Sequence, residues 1–273
     1  GSMGAGRRHA IANLALLGAA APIASADRVD EYVGAEVARQ RIPGLSLAVV
    51  RNGALERARG YGLANLELGV AASERTVYQS GSLGKQFTAA LVMLLVEEGR
   101  LALEDPIARH LGAVPPSWAG ITLRHLLTHT SGIKDYTETR LLNYRLDYTD
   151  DELLKLMLTL PIEFTPGTKW SYSNTGFLLL GAVIEAAAGT SYFDYVRENV
   201  CVPAGMTGTD CYELDKPVPD LAVGYSIEYG PPPAEPVYRN NVFRHVLRGS
   251  SAGGGYSTVR DLLRFDQALR AGK

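Results

Sequence analysis

Residues 78–88 read YQSGSLGKQFT, and this stretch decides how the rest of the chain is interpreted. Ser82 is followed three positions later by Lys85, and the apolar run 89–96 comes directly after them. Positions i and i+3 share one face of a helix, so the lysine ammonium and the unpaired N–H groups of the first turn lie beside the serine hydroxyl. This combination favours a nucleophilic serine at the start of a helix that runs into the core.

The same S-x-x-K spacing recurs at Ser131 and Lys134, so the spacing alone does not identify a nucleophile. Ser131 lies in the turn-rich segment THTSG (128–132), with no apolar helix behind it. Only Ser82 precedes a helix that can hold both side chains rigidly. The alternative for Ser82 is a helix cap followed by a solvated lysine.

The composition is that of an ordinary soluble protein. The chain has 273 residues, 46% of them hydrophobic and 21% charged, with a formal net charge of −2. This length suits one large domain or two intertwined ones. Without a long basic run, neither nucleic-acid binding nor polybasic membrane docking is expected. No P-loop, dinucleotide fingerprint, H-E-x-x-H or paired C-x-x-C occurs, so we infer no nucleotide or zinc site.

Residues 1–26 carry the features of a leader. Residues 1–3 resemble the scar of a cleaved tag, and two arginines precede an Ala-rich apolar run at 10–21. An A-x-A site at 24–26 follows. This arrangement predicts a secretory signal peptide, a mature chain from Asp27 and a periplasmic or secreted protein. The run is too short to span a membrane. The alternative is an amphipathic N-terminal helix.

The two cysteines, Cys201 and Cys211, leave two interpretations open. An oxidising compartment would permit a bridge between them, and buried free thiols are equally compatible with the sequence.

Periodicity predicts the order of the elements. A helix over 27–41 precedes a hairpin whose strands, near 45–49 and 55–62, meet at Asn52-Gly53. Capping residues at Thr149, Ser191 and Thr258 begin later helices. Residues 201–256 read as loop-rich, with an exposed extended segment at the prolines 231–233.

A second constellation, Tyr172-Ser173-Asn174, lies in a turn directly before the apolar helix 175–188. A tyrosine there faces a cleft rather than the core. A phenol acts as a base near neutrality only beside cations, and Lys85 is the candidate cation. The same Y-x-N spacing recurs at 238–240, in what reads as a proline-rich loop, and we interpret that copy as a surface turn.

Together, Ser82 to Lys85 and Tyr172 to Asn174 resemble the first two motifs of serine β-lactamases and penicillin-binding proteins. The Y-x-N form resembles the branch that holds class C β-lactamases, family VIII esterases and D-amino-peptidases. The resemblance covers residue 27 to the end of the sequence. Four further stretches are similar to that branch: 42–49 (IPGLSLAV), 126–132 (LLTHTSG), 164–167 (FTPG) and 253–258 (GGGYST).

The resemblance implies an α+β fold, with an antiparallel sheet flanked by helices, a mostly helical lobe and an active-site groove between them. It divides residues 27–273 into a helix and β-hairpin (27–81), the helical lobe (82–256) and a final helix (257–273). It also implies that the protein needs no metal or organic cofactor.

The resemblance further implies a role for each motif residue. Ser82 is the nucleophile that forms an acyl-enzyme, and its backbone N–H is one oxyanion donor. Lys85 keeps the site electropositive and relays protons. Tyr172 accepts the serine proton and later activates water or protonates the leaving group. Asn174 hydrogen-bonds the acyl side of a small-molecule or peptide-like amide, β-lactam or ester.

The sequence departs from the family in one respect. The third motif, K-T-G, H-T-G or H-x-G on a strand, is not found after Asn174. We therefore expect the C-terminal sheet strands to be missing, and the hairpin over 45–62 to lack its sheet neighbours. An exposed strand edge invites a swapped or complementing chain that supplies those strands. The chain alone is expected to be inactive or weakly active.

Two other interpretations remain. One is a non-catalytic or truncated member with a binding or scaffold role. The other is an α/β-hydrolase, since GSSAG at 249–253 matches G-x-S-x-G. That match lacks the preceding strand and following buried helix, and no histidine follows Ser251. We interpret the remaining aromatic candidates as structural, with Trp170 also placed to line the groove: His110, His125, His129, His245, Trp118 and Trp170.

Overall fold

A computed structural model describes residues 28–230, 237–244 and 248–273. The predicted signal peptide, the prolines 231–233 and His245 lie outside the described residues. Among the described helices, none is by itself long and apolar enough to cross a membrane. One sharply bent pair, Asn174–Ala188 with Tyr192–Ala204, meets that criterion by length and composition only.

The described part of the chain is an α+β structure. Its α-helices are α1 (Arg28–Arg39), α2 (Lys85–Glu97), α3 (Ala108–Leu111), α4 (Leu123–Leu127), α5 (Asp150–Met157), α6 (Asn174–Ala188), α7 (Tyr192–Val196), α8 (Val202–Ala204) and α9 (Val259–Arg270). Its strands are β1 (Gly44–Arg51), β2 (Ala54–Asn65), β3 (Val70–Ala71), β4 (Tyr78–Gln79), β5 (Tyr225–Glu228), β6 (Val237–Asn240) and β7 (Tyr256–Ser257).

The predicted hairpin is present, and it has one more neighbour than expected. β1 and β2 pair antiparallel around Asn52 and Gly53, whose φ angles of 51° and 78° are those of a tight hairpin turn. The short β3 then pairs with β2, giving the order β1-β2-β3. The expectation of a hairpin without sheet neighbours was therefore wrong on the β2 side, because residues 66–69 form a turn that brings β3 back. On the β1 side, no described strand pairs.

Polar contacts hold α1 on this sheet. No residue of α1 is buried. The Asp30 carboxylate instead accepts hydrogen bonds from Arg57 (2.6 Å), Arg59 (2.7 Å) and Tyr61 (2.6 Å). These three residues alternate along β2 and therefore share one face. The hydrogen bonds from Tyr61 and then Arg57 hold the pKa of Asp30 below its ordinary value.

The apolar core lies in the helical lobe, around α2 and α6. The predicted capping residues Thr149, Ser191 and Thr258 each accept a backbone N–H three residues on, which fixes where α5, α7 and α9 begin. Burying each large aliphatic side chain stabilises the fold by about 1.5–3 kcal/mol. The fully buried side chains include Leu91, Val92 and Leu95 of α2, Leu179, Leu180 and Ile184 of α6, and Trp118, Ile121, Leu123 and Leu126.

One prediction about the segment 201–256 was wrong. Tyr238 lies in β6, which pairs antiparallel with β5, and not in a loop. Two cross-strand contacts account for the pairing. Arg239 forms an ion pair of 2.6 Å with Glu228, and the rings of Tyr225 and Tyr238 meet edge to face at 6.4 Å.

The two cysteines are free and buried, so no bridge joins them in this structure. Burial raises the pKa of both Cys201 and Cys211 to about 12. Both side chains therefore remain protonated thiols at neutral pH.

Candidate active site

Ser82 lies on a short 3-10 helix, Gly81–Gly84, that leads directly into α2. The predicted helix therefore begins at Lys85, one tight turn after the serine. Ser82 is exposed, whereas Lys85 is only 7% exposed. The hydroxyl thus faces solvent while the ammonium stands behind it in the protein.

Lys85 uses its ammonium group to join three parts of the chain. Nζ donates to Ser82 Oγ at 3.2 Å, to Asn174 Oδ1 at 2.8 Å and to the carbonyl oxygen of Ala252. An ammonium has three donors, so these contacts satisfy all of them. Nζ also lies 4.8 Å from the ring centroid of Tyr172, within the range of a cation–π contact.

Tyr172 also contacts Ser82, and its hydroxyl donates to Ser82 Oγ at 2.6 Å. The ring of His129 lies 4.6 Å from the ring of Tyr172, and His129 Nδ1 accepts the backbone N–H of Ser173 at 3.1 Å. Burial, then the charge of Lys85, lowers the pKa of His129, which favours the neutral ring that accepts this hydrogen bond. His129 therefore supports the site, a role the sequence did not indicate.

Asp135 fixes the orientation of Asn174. Its Oδ2 accepts the backbone N–H of Asn174 at 2.5 Å and the side-chain Nδ2 at 3.1 Å. Its Oδ1 accepts the backbone N–H and the hydroxyl of Thr137, at 2.7 and 2.6 Å. The Asn174 carbonyl oxygen is thereby turned toward Lys85. Sequence reasoning missed Asp135, because a single aspartate in a loop has no spacing that identifies it.

The loop 250–255 closes around the serine segment. The Gly254 N–H donates to the Gly81 carbonyl oxygen at 3.2 Å, and the Ser80 hydroxyl donates to the Gly255 carbonyl oxygen at 2.8 Å. Gly253 has a φ of 134°, and a Cβ there would lie 2.5 Å from the Gly81 carbonyl oxygen. The contact with the turn that carries Ser82 therefore requires glycine at position 253.

A groove of about 200 Å³ opens beside Ser82 and Asn174. Four tyrosines and two arginines are among the residues that line it: Tyr136, Tyr144, Tyr212, Tyr256, Arg244 and Arg248. Trp170 does not line this groove. Its side chain is 68% exposed and packs edge-on against His129, with 6.0 Å between ring centroids.

Other candidates from the sequence stay apart from this constellation. His110 contacts Asp105 at 3.0 Å, and His125 Nδ1 accepts the Thr122 N–H as part of a helix cap. Ser251 of the GSSAG stretch is buried. Within the described ranges, no group of three or more His, Cys, Asp or Glu side chains could hold a metal ion.

Comparison with known proteins identifies the family. The family model described as "Beta-lactamase" matches residues 29–273. Penicillin-binding protein 4* of Bacillus subtilis is 36% identical over 206 residues, which are 71% of this chain and 45% of that protein. The chain therefore belongs to the beta-lactamase family, and it spans about half the length of the curated relatives it matches.

Solved structures agree on the fold, which is that of the β-lactamase/transpeptidase class. D-amino acid amidase from Ochrobactrum anthropi, complexed with L-phenylalanine amide, superposes with a TM-score of 0.77 at 28% identity. The match covers 89% of this chain and 69% of that one. A class C β-lactamase superposes with a TM-score of 0.70 at 26% identity, covering 90% of this chain and 65% of that one. The family resemblance predicted from the sequence is confirmed.

Proposed function

We propose that the protein is a serine hydrolase that acts through an acyl-enzyme on an amide, β-lactam or ester. One observation carries the proposal: Ser82 Oγ lies 2.6 Å from the Tyr172 hydroxyl and 3.2 Å from Lys85 Nζ. An exposed hydroxyl between a second proton-exchanging group and a buried ammonium is the arrangement of an activated nucleophile.

The proposed reaction has two halves. With its phenol deprotonated beside the Lys85 ammonium, Tyr172 accepts the proton of Ser82 as Oγ attacks the substrate carbonyl. The bond to the leaving group then breaks, and that group takes the proton from Tyr172. In the second half, water attacks the Ser82 ester, Tyr172 takes its proton, and Ser82 Oγ recovers a proton as the acid departs.

Two further groups support this chemistry. The N–H of Ser82 lies in the first turn of a 3-10 helix, where N–H groups lack partners within the helix, and is proposed as an oxyanion donor. Asn174, oriented by Asp135, is proposed to bind the acyl side of the substrate. The positive charge of Lys85 favours the negative tetrahedral intermediate.

Mass spectrometry after incubation with a fluorophosphonate and with a β-lactam tests the proposal. We expect one adduct on the wild-type protein, located on Ser82 by peptide mapping. Ser82→Ala loses the adduct, while the matched control Ser131→Ala keeps it. An unlabelled wild-type protein, or label retained by Ser82→Ala, contradicts the proposal.

A non-catalytic member with a binding or scaffold role is the second candidate. The observation that favours a binding role is the outer edge of β1, because no described strand pairs with it. We propose that a further strand, from a swapped or complementing chain, pairs there. Native mass spectrometry at micromolar concentration measures this association. A chain that stays monomeric and still forms the Ser82 adduct refutes the need for a partner.

The leader features at residues 1–26 support a further proposal, export to the periplasm or beyond. Expression in a bacterial host followed by N-terminal sequencing tests it. A mature protein that begins near Asp27 in the periplasmic fraction is the expected result. An unprocessed cytoplasmic protein contradicts it.

A further inference from the structure

The groove beside Ser82 receives only one part of a substrate, and the position of Tyr172 decides which part. In the proposed reaction the leaving group departs next to the residue that protonates it, which is Tyr172. Tyr172 is not among the residues that line the groove, although its hydroxyl touches Ser82. Asn174, proposed to bind the acyl side, does line it. The groove therefore holds the acyl portion, and this inference rests on the proposed function.

The charged side chains that line the groove are all positive among the residues that the structure describes. Among the described residues that line it, none is an aspartate or a glutamate, whereas Arg244 and Arg248 both are part of its wall. The Lys85 ammonium adds a third positive charge directly behind Ser82. Because no carboxylate is among the described lining residues, a cationic acyl group would be repelled by Arg244, whereas an anionic one would be attracted.

The two arginines are not equivalent. Arg248 is held within the protein: its guanidinium stacks 3.7 Å from the ring centroid of Phe193, and Nε donates to the Cys211 carbonyl oxygen at 2.8 Å. Its charge is also balanced by Glu213, 3.8 Å away. Arg244 is exposed, and its side chain forms no hydrogen bond or ion pair with the part of the chain that the structure describes. Arg244 is therefore the arginine whose guanidinium is available to a ligand.

Phenol hydroxyls complete the polar wall. Tyr136, Tyr144 and Tyr212 line the groove, and burial raises the pKa of all three. They are therefore protonated at neutral pH and can donate hydrogen bonds to an anion. Their rings also give an aliphatic or aromatic acyl chain an apolar surface.

We propose that the acyl portion of the substrate carries a carboxylate, and that Arg244 binds this carboxylate and selects for it. A guanidinium and a carboxylate match in two parallel hydrogen bonds, so the contact favours a carboxylate over a carboxamide of the same shape.

Three p-nitrophenyl esters of equal chain length test the proposal on the whole 273-residue chain. They are the monoester of glutaric acid, the ester of its monoamide, and the ester of the corresponding ω-amino acid. We expect kcat/KM to fall in that order, with the carboxylate preferred over the carboxamide by about ten-fold, the size of one charge-assisted contact at a partly exposed site. Arg244→Gln lowers kcat/KM for the carboxylate ester by about ten-fold more than for the carboxamide, and so removes the preference.

The matched control is Arg140→Gln, since Arg140 is an exposed arginine outside the groove lining. It leaves the preference unchanged. Equal kcat/KM for the three esters, or a preference that survives in Arg244→Gln, overturns the inference while leaving the proposed function intact. Failure of every ester to release nitrophenol or acylate Ser82 counts against the proposed function itself.

Discussion

Two segments of this protein share the spacing S-x-x-K and end in opposite environments. At Ser82 and Lys85 the serine is exposed, the lysine is buried, and Nζ lies 3.2 Å from Oγ. At Ser131 and Lys134 the serine is buried and its Oγ accepts the backbone N–H of Ile133. The lysine there reaches away to Glu163, at 2.6 Å, which raises the pKa of Lys134.

The backbone explains this difference. Ser82 lies on a 3-10 turn continuous with α2, so residues three apart share a face. Between Ser131 and Lys134, Gly132 has a φ of 77°, which turns the chain and separates the two side chains. The comparison teaches that the spacing identifies a serine–lysine pair only when a helix follows.

The largest difference in acylation rate is expected between variants of the two lysines, Lys85 and Lys134. Lys85→Met removes the ammonium that contacts Ser82, Asn174 and the Ala252 carbonyl, so the rate of acylation by a fluorophosphonate falls by about 10³-fold. Lys134→Met removes only the ion pairs with Glu163 and Glu138, and leaves that rate within about two-fold. Time-resolved mass spectrometry measures both rates. Similar losses in the two variants would show that the helix does not distinguish the pairs.

The next difference concerns one glycine beside each motif. A Cβ at Gly253 would lie 2.5 Å from the carbonyl oxygen of Gly81, and one at Gly132 would lie 2.2 Å from that of Phe164. Both Gly→Ala changes also strain a positive φ, at a cost of about 1–3 kcal/mol in the free energy of unfolding. Only Gly253→Ala displaces the turn that carries Ser82. We expect this displacement to lower the acylation rate by about 10²-fold.

Urea unfolding and acylation rates, measured on the same two variants, separate stability from activity. A Gly132→Ala protein that loses stability and keeps its acylation rate supports the comparison. Equal losses of acylation in both variants would contradict it.

The sequence predicted the pieces of the site better than the contacts that hold them. Ser82, Lys85, Tyr172 and Asn174 each belong to a local motif, and the structure brings all four together. Asp135 and the Ala252 carbonyl lie far from those motifs along the chain. A local sequence pattern cannot predict contacts between residues that are so far apart in the sequence. The pairing of β5 with β6 was missed for the same reason, since it depends on contacts across strands.

A smaller effect on acylation is expected at Asp135. This residue links the two S-x-x-K segments, because it follows Lys134 directly and its carboxylate accepts hydrogen bonds from Asn174, which contacts Lys85. Asp135→Asn replaces an ionised acceptor with a neutral one, and we expect the free energy of unfolding to drop by about 1.5–3 kcal/mol. Acylation falls by about ten-fold, because Asn174 no longer presents its oxygen firmly to Lys85. An unchanged acylation rate in a destabilised Asp135→Asn protein would limit Asp135 to a structural role.

The smallest effect is a change in pH dependence at His129, which precedes Ser131 by two residues and stacks on Tyr172. Its φ of 58° is left-handed, a conformation that asparagine tolerates, so His129→Asn keeps the backbone and removes the titrating group. Burial and the nearby charge of Lys85 outweigh the opposite influence of Asp135, and the pKa of His129 lies below its ordinary value of 6.5.

The sign of this pH effect follows from proton binding. Between the lowered folded-state pKa and about 6.5, the unfolded chain binds more protons at His129 than the folded one, so stability rises with pH across that window and is lost below it. Urea midpoints across this range should therefore fall more steeply with acid for wild type than for His129→Asn. Every other ionisable group is the same in the two proteins, so its contribution cancels in the difference. If the urea midpoints of the two proteins change with pH in parallel, the pKa of His129 is the same in the folded and the unfolded protein. The position of the ring beside Tyr172 would then not keep it neutral.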